Sequence, residues 1–537
     1  MPQEPNIREK RSWPLRATLA PESPLYKWWI MIALMSGVLT NSLIMGTVNI
    51  ALPKMMTTLR VNVETVQWVV TVFMITRTVT MPLVGWLGTL LGNRALYLSS
   101  LGLYVIASFL CSISWSIESL IFFRFLQGIG AGPLFPMAMA ILYETFPSEQ
   151  RGLSMGVLMF GLSFGPAIGP SVGGYLIEYL SWRAIFYINI PAGLVGLLLA
   201  GMLLPKTQRA KSVSLDALGL LSLTLCLVPL LLALSQGRRE GWTSEYILTL
   251  LGIAILSLIV FVFVELHTAN PLIDLSVFRR LSFAMVCLVT SLNSMANFGL
   301  NFLTALFVQQ ALHYPPALAG LILLPGAIVW GITSLFSGRL SDIVEPRIIV
   351  VSGLVFSAMV AYFFTFTNPW TSTSLLVGLL VLRSFTRGCI LSPLMNAFVS
   401  NLPSDKVRMG TGLRGLLNGV GGTFGVAAIG ALLERRQIVH AIAYGEDQQL
   451  YPLGTAEMTS RVQHYLLQSG EAGLLPRKTA SILHTRLMEE ATLTAYHDCF
   501  LTIALLSLST VLPTLLIRRS LPSAPSSQSK DPTETKT

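Results

Sequence analysis

The chain has 537 residues, of which 53% are hydrophobic and only 12% charged, with a formal net charge of +10. With a mean hydropathy of +0.66 it cannot present a soluble surface, and it reads as an all-α polytopic membrane protein. The excess cations fall in short connections between apolar runs, so they call for no nucleic-acid partner.

The first 27 residues hold Arg8, Lys10, Arg11 and Arg16 ahead of any apolar run and lack a small-residue cleavage site. They read as a cytoplasmic tail, not a cleaved signal peptide. Fourteen apolar runs follow, near 28–52, 66–87, 95–116, 119–143, 153–177, 184–204, 217–236, 246–265, 283–311, 317–338, 348–367, 373–399, 409–433 and 494–517. Each has the length, about 20 residues, that crosses a bilayer as a helix. Connections with Arg94, Arg151, Lys206, Arg279, Arg339, Lys406 and Arg518 share the side of the N-terminal tail, so both termini are expected to be cytoplasmic. Cys111, Cys226, Cys287, Cys389 and Cys499 are odd in number, show no metal spacing and read as packing residues.

After the second run stands Gly85-Trp-Leu-Gly-Thr89-Leu-Leu-Gly-Asn-Arg94, and after the tenth Gly338-Arg-Leu-Ser-Asp342-Ile-Val-Glu-Pro-Arg347. The two share Gly, Leu and Arg at matching positions, so one turn motif is written twice. That is the mark of a duplicated transporter. The halves come into register as an N-terminal six-helix bundle at 28–204, a linker at 205–216, two inserted helices at 217–265 and a C-terminal bundle at 266–517. An outside segment at 434–492 carries mixed charge and helical spacing over 456–490, which predicts a helical hairpin; the tail 518–537 reads as disordered.

Two further motifs bear on mechanism. Arg124-Phe-Leu-Gln127-Gly-Ile-Gly-Ala-Gly-Pro puts an arginine inside the fourth span, where it must face a polar cavity or brace a partner. Gly165, Pro166, Gly169, Pro170, Gly173 and Gly174 line the fifth. Glycines at i, i+4 and i+8 allow close helix contact, and the prolines loosen the backbone where bending is wanted.

These residues resemble the antiporter signature of the major facilitator superfamily, and the fourteen spans resemble its EmrB/QacA-type multidrug efflux branch. Thr47-Val-Asn-Ile-Ala-Leu-Pro53, Gln67-Trp68, Trp182-Arg183 through Gly193, and Asn270-Pro-Leu-Ile-Asp274 match in order over roughly 28–517. The resemblance implies a proton-driven exporter of the bacterial plasma (inner) membrane, with a cavity between the bundles. Three positions depart from that pattern. Ile44 stands where the first span usually carries aspartate, Thr89 where the first loop usually does, and Asn418 where the glycine-rich span often has arginine.

No carboxylate lies at the centre of a span. Asp498, beside His497, and Glu144 remain as proton-coupling candidates, each also readable as a boundary residue. Arginines are plentiful at membrane depth: Arg77, Arg124, Arg383, Arg387 and Arg414. Together with Asn41, Gln127, Asn293, Asn297 and Asn301 the first four form the expected substrate cavity, favouring an anionic or neutral amphiphile. Gly85, Arg94, Gly338, Asp342 and Arg347 join the glycines and prolines of the fifth span as the expected conformational switch. The expected partners are a small-molecule substrate, the lipid bilayer and protons, and no metal or cofactor is implied. A proton-independent uniporter or flippase and a non-transporting receptor are the competing readings; an enzyme would need a nucleophile–base pair or phosphate loop that the chain lacks.

Overall fold

Apolar runs of this length must satisfy their own backbone groups in hydrocarbon, and helices do so. A computed structural model of the protein describes residues 25–517 and Ser23, apart from 206–215, 269, 313, 315, 404–405, 451–459, 462 and 465–474. The predicted C-terminal tail, nearly all of the N-terminal tail and of the 205–216 linker, and the middle of the 434–492 segment therefore lie outside the described residues. In chain order the helices are α1 (Tyr26–Leu59), α2a (Val63–Thr80) with α2b (Val84–Leu91), α3 (Asn93–Ser112), α4 (Ile117–Thr145), α5 (Arg151–Tyr179), α6 (Ala184–Leu203) and α7 (Ala217–Glu240). Then come α8 (Glu245–His267), α9 (Leu281–Leu306), α10 (Pro316–Ile343), α11 (Pro346–Phe363), α12 (Thr373–Ser400), α13 (Val407–Leu450) and α14 (Leu475–Ser509). Thirteen are long and apolar enough to span a membrane, and the bent α2 makes fourteen. Among the described residues there is no strand.

Local chemistry sets several helix starts. Asn62 accepts the Thr65 N–H at 2.8 Å to begin α2a, Ser116 and Ser119 form a capping box on α4, and Asp216 accepts the Gly219 N–H at 2.7 Å to begin α7. The face where α1 begins and α14 ends is called the near side below, and the opposite face the far side.

The duplication is legible in the packing. Gly132 of α4 lies against the carbonyl of Arg77 and the side chain of Thr80, while Gly388 of α12 lies against the carbonyl of Trp330 and the side chain of Thr333. Those partners on α2a and α10 are separated by the same 253 residues as the two loop motifs. Arg94 and Arg347, at that offset too, each donate to a carbonyl at the near end of the last helix of their half: Arg94 to Gly201 of α6, Arg347 to Leu515 just past α14, the latter at 3.1 Å. A cation at a helix C-terminus offsets its negative dipole end, so both arginines brace bundles.

Three sequence expectations need correction. The second span is not a straight helix over 66–87: it bends by 62° between Thr80 and Val84, where Pro82 removes a backbone donor. The loop motifs are not turns through most of their length. Residues 85–91 and 338–343 are helical, and the first reversal is made by Gly92, whose φ of +82° suits glycine. The segment after 433 is no separate hairpin at its start, since α13 runs on to Leu450. Gly445 is the only glycine and no proline occurs from 434 to 450, and the extension is held to α14 by Tyr444–Thr494 at 2.9 Å and His440–Asp498 at 2.7 Å.

In the middle of α5, Gly165, Gly169 and Gly173 face α1. A Cβ at Gly165 would lie 2.1 Å from the Ser42 carbonyl oxygen, and one at Gly169 would lie 2.9 Å from Gly46 Cα. Pro166 and Pro170 sit within α5, their side chains not among those described. Gly174 has open space around its Cβ position. Gly165→Val is therefore expected to lower the thermal midpoint of the purified protein, by an overpacking cost of about 1–3 kcal/mol. Gly174→Ala should leave the midpoint unchanged; equal effects would remove the close-packing role.

Candidate functional site

The bundles meet tightly on the near side at two helix pairs. In the first, α5 meets α10: a Cβ at Gly152 would lie 2.3 Å from the Gly338 carbonyl oxygen, and one at Gly156 would lie 2.5 Å from that of Ser334. Asp342 completes this contact by accepting the backbone N–H groups of Gly152 at 2.6 Å and Leu153 at 2.9 Å. A carboxylate on the open donors of a helix N-terminus joins charge-assisted hydrogen bonds to a favourable dipole. It bonds one bundle to the other.

The second pair, α2 with α13, is built differently. Gly412 and Gly415 lie against Met81, Gly419 against Thr78, and Gly85 against Met409. Thr89, at the position of Asp342, donates to the carbonyl of Gly85 in its own helix at 2.9 Å and spans no bundles. Its place is taken by Arg408, which donates to Asn93 Oδ1 at 3.1 Å, while Asn93 Nδ2 donates to Glu144 Oε2 at 2.8 Å. Beside this contact a cleft of about 330 Å³ is lined by Trp86, Thr89, Asp216, Asp274, Lys406 and Arg408. Glu144 is exposed at the end of α4 and belongs to the gate network.

The arginines divide by environment. Arg124 is 2% exposed, donating from Nε to the Val69 carbonyl at 2.9 Å and from Nη1 to Gln127 Oε1 at 2.7 Å, with its guanidinium 4.0 Å from the Phe73 ring centre. Gln127 donates on to Ser108 at 2.7 Å. These two predicted cavity residues join α2a, α3 and α4 inside the N-terminal bundle. Arg383 likewise reaches Thr304 at 2.9 Å and Asn301 across to α9, and Asn301 is 3.4 Å from Asn297 Oδ1. Arg77 is half-buried and, among the described residues, donates only to the Met45 sulfur, at 2.9 Å. Arg387 lies 3.7 Å from the Trp330 ring centre. The Nε atoms of Arg77, Arg387 and Arg414, and Oδ1 of the buried Asn41, have no hydrogen-bond partner. Among the described residues no ion pair involves any of these five arginines.

Asp498 stands on the far side, 2.7 Å from His440 and 3.5 Å from Arg436, while His497 bonds the Thr367 carbonyl at 2.7 Å. Ile44 is wholly buried. Asn93, Arg408 and Trp330 went unrecognised in the sequence. Trp330 had a signal, since it falls opposite Arg77 at the repeat offset; Arg408 and Asn93 had none, because their pairing joins residues 315 apart.

Two six-helix halves related by duplication, a near-side gate between them and polar groups in the interior define a secondary-transporter fold. The sequence profile described as Major Facilitator Superfamily matches residues 34–426, and the chain belongs to that family. It is similar to the multidrug export protein EmrB of Escherichia coli K12 (29% identity, 73% of this chain and 77% of the relative). EmrB of Haemophilus influenzae is 28% identical over 84% of this chain and 88% of its own, and the uncharacterised transporter YhcA of Bacillus subtilis 29% over 76% and 77%. In fold it is similar to the crystal structure of the human organic anion transporter MFSD10, with a TM-score of 0.57, 16% identity, and 92% and 98% of the two chains covered. The protein is a multi-pass membrane transporter of the EmrB/QacA-like branch and not an enzyme.

Asp342→Asn keeps the shape and removes the charge. Each bond to a charged group contributes about 1.5–3 kcal/mol, so the near gate should open roughly tenfold or more often. Labelling of a cysteine placed at Ser334 from the near side would report this, and unchanged labelling would refute it. Asp274, between α8 and α9, feels burial that pushes its carboxyl up, but hydrogen bonds from Lys406 and Ser276 outweigh it and hold it below the ordinary value. A lowered native pKa contributes stability above the unfolded value that is lost as pH falls through the native one. Asp274→Asn should thus cost stability at pH 7 and little near pH 3, as read by thermal unfolding across that range.

Proposed function

We propose that the protein is a secondary active exporter of amphipathic small molecules, anionic or neutral, working by alternating access in exchange for protons. Its setting is the bacterial plasma membrane, with the near side and both termini cytoplasmic. The substrate cavity lies between α1, α2, α4 and α5 on one side and α9, α10, α12 and α13 on the other. The observation that carries this reading is Arg77, which among the described residues is paired with no carboxylate. A guanidinium in low dielectric with an unused N–H favours a ligand that brings an acceptor or a negative charge, and Arg77 has that N–H. The closed near gate fits an outward-facing state, and two relatives are named multidrug export proteins.

In proteoliposomes, wild-type protein is expected to move an anionic amphiphile faster than a quaternary ammonium dye, and Arg77→Ala to cut the anion flux about tenfold. Strong dye uptake undiminished by Arg77→Ala would sink the proposal. A second reading, a uniporter or flippase independent of protons, draws support from Ile44, which puts a buried alkyl group where the resemblance implies an acid. An imposed pH gradient that changes flux several-fold, with the change abolished by Asp498→Asn, would eliminate this second reading.

A further inference from the structure

Inside the C-terminal bundle, away from the contact between the halves, α9, α11, α12 and α14 enclose a small chamber. Its polar lining includes Asn293 and Asn297 from α9, Ser357 from α11, Arg383 and Arg387 from α12, and Ser507 from α14. Every one of these side chains can donate a hydrogen bond, two are cations, and no carboxylate lines the chamber. Arg383 and Arg387 stand one helical turn apart on one face, so their charges repel across a medium of low dielectric. Asn293 is 5% exposed and Ser507 3% exposed, both line the chamber and neither makes a hydrogen bond among the described residues, while Arg387 Nε is the lining group that is itself buried with no partner.

Burying polar groups without partners is costly, and buried like charges without a counter-ion more so. One ligand answers both deficits, a negative charge that accepts from several sides. The chamber's free volume is about 10 Å³, room for one water and, with a small outward shift of its side chains, for a monatomic anion. Phosphate, sulfate and any carboxylated amphiphile are too large.

We infer that this chamber is a binding site for a resident monatomic anion of the chloride class. The ion is held by Arg383 and Arg387, with Asn293 and Ser507 completing its shell. It neutralises the α12 cations and ties α9, α11 and α14 to α12, so the C-terminal bundle moves as one body. This inference is separate from the transported substrate, because the site lies within one bundle and admits no amphiphile.

The test uses the full-length protein in detergent, without substrate, in sodium chloride against sodium gluconate at equal ionic strength. A ligand that binds only the folded state raises the unfolding midpoint with its concentration, so the midpoint should climb with chloride and with bromide but not with gluconate. Arg387→Gln should weaken the apparent chloride affinity roughly tenfold or more, the worth of one charge-assisted bond. Should that variant fail to fold, Ser507→Ala, which removes one donor and one small oxygen, provides the same comparison with a smaller shift. Crystals grown in bromide should show an anomalous peak between Arg383 and Arg387. Equal midpoints in chloride and gluconate, or a water with no anomalous signal at that place, would overturn the inference and leave the substrate proposal standing.

Discussion

Lipid tails are as apolar as leucine, so helices within a membrane gain little by hiding apolar surface from one another. What holds them is close contact, and contact is closest where a glycine lets one backbone touch the next. The fifth helix of each half uses this in the same divided way. The near end of α5 offers Gly152 and Gly156 to α10 of the other bundle, and its middle offers Gly165, Gly169 and Gly173 to α1 of its own. On α13, Gly412, Gly415 and Gly419 face α2 across the bundle boundary, while Gly421, Gly422 and Gly425 face α9 within it. Each of these helices is thus fixed to its own bundle by one set of glycines and closes on the other bundle by a second set. The proposed alternating access would use that division, since the second contact would have to open while the first is kept.

Charge breaks the symmetry that the glycines preserve. At the α5–α10 contact a carboxylate sits on helix N–H groups of the facing bundle, a bond between a fixed charge and backbone donors. At the α2–α13 contact Thr89 turns back to its own helix, and the bridge passes through Arg408, Asn93 and Glu144 instead. Longer side chains around an open cleft hold less rigidly than a carboxylate on backbone donors, since each ordered rotamer costs entropy. The two halves of the near gate therefore differ in stiffness, although the chain repeats the same motif at both.

How much of this was legible in the sequence follows from the range of the interactions involved. Span number, the duplication and the inserted pair depend on runs of about 20 apolar residues and on a repeated motif, and both are local. The bend at Pro82 was also locally encoded, but hydropathy averages over it. The cavity residues were harder. The cost of Arg124 in hydrocarbon is a sound reason to expect a partner, but cost alone does not say whether that partner is a substrate or the Val69 carbonyl. The place of Arg94 and Arg347 in the repeated motif points to a switch, while their carbonyl partners lie 107 and 168 residues away and leave no mark in the local sequence. Thr89 against Asp342 was visible as a difference, and its consequence needed the helix N-termini that the two positions face.

The inserted pair α7–α8 touches both bundles, and its attachments differ between the two sides. α8 is mostly exposed, while α7 packs on α8 and also touches α2a of one bundle and α13 of the other. On the far side adjacent arginines of α7 reach both bundles: Arg239 pairs with Glu64 at 2.6 Å and Arg238 with Glu434 at 3.7 Å. All four side chains are about half exposed, so each pair contributes at most about 1 kcal/mol and exchanges readily with water. At the near end the hold is buried instead, with Glu265 accepting the Ile273 N–H at 3.3 Å and Asp216 capping α7. The exposed far-side pairs let α7 exchange its partners there, while the near-side bonds stay within the pair and its own connections. Two extra helices can then cover the seam between the halves without locking them together.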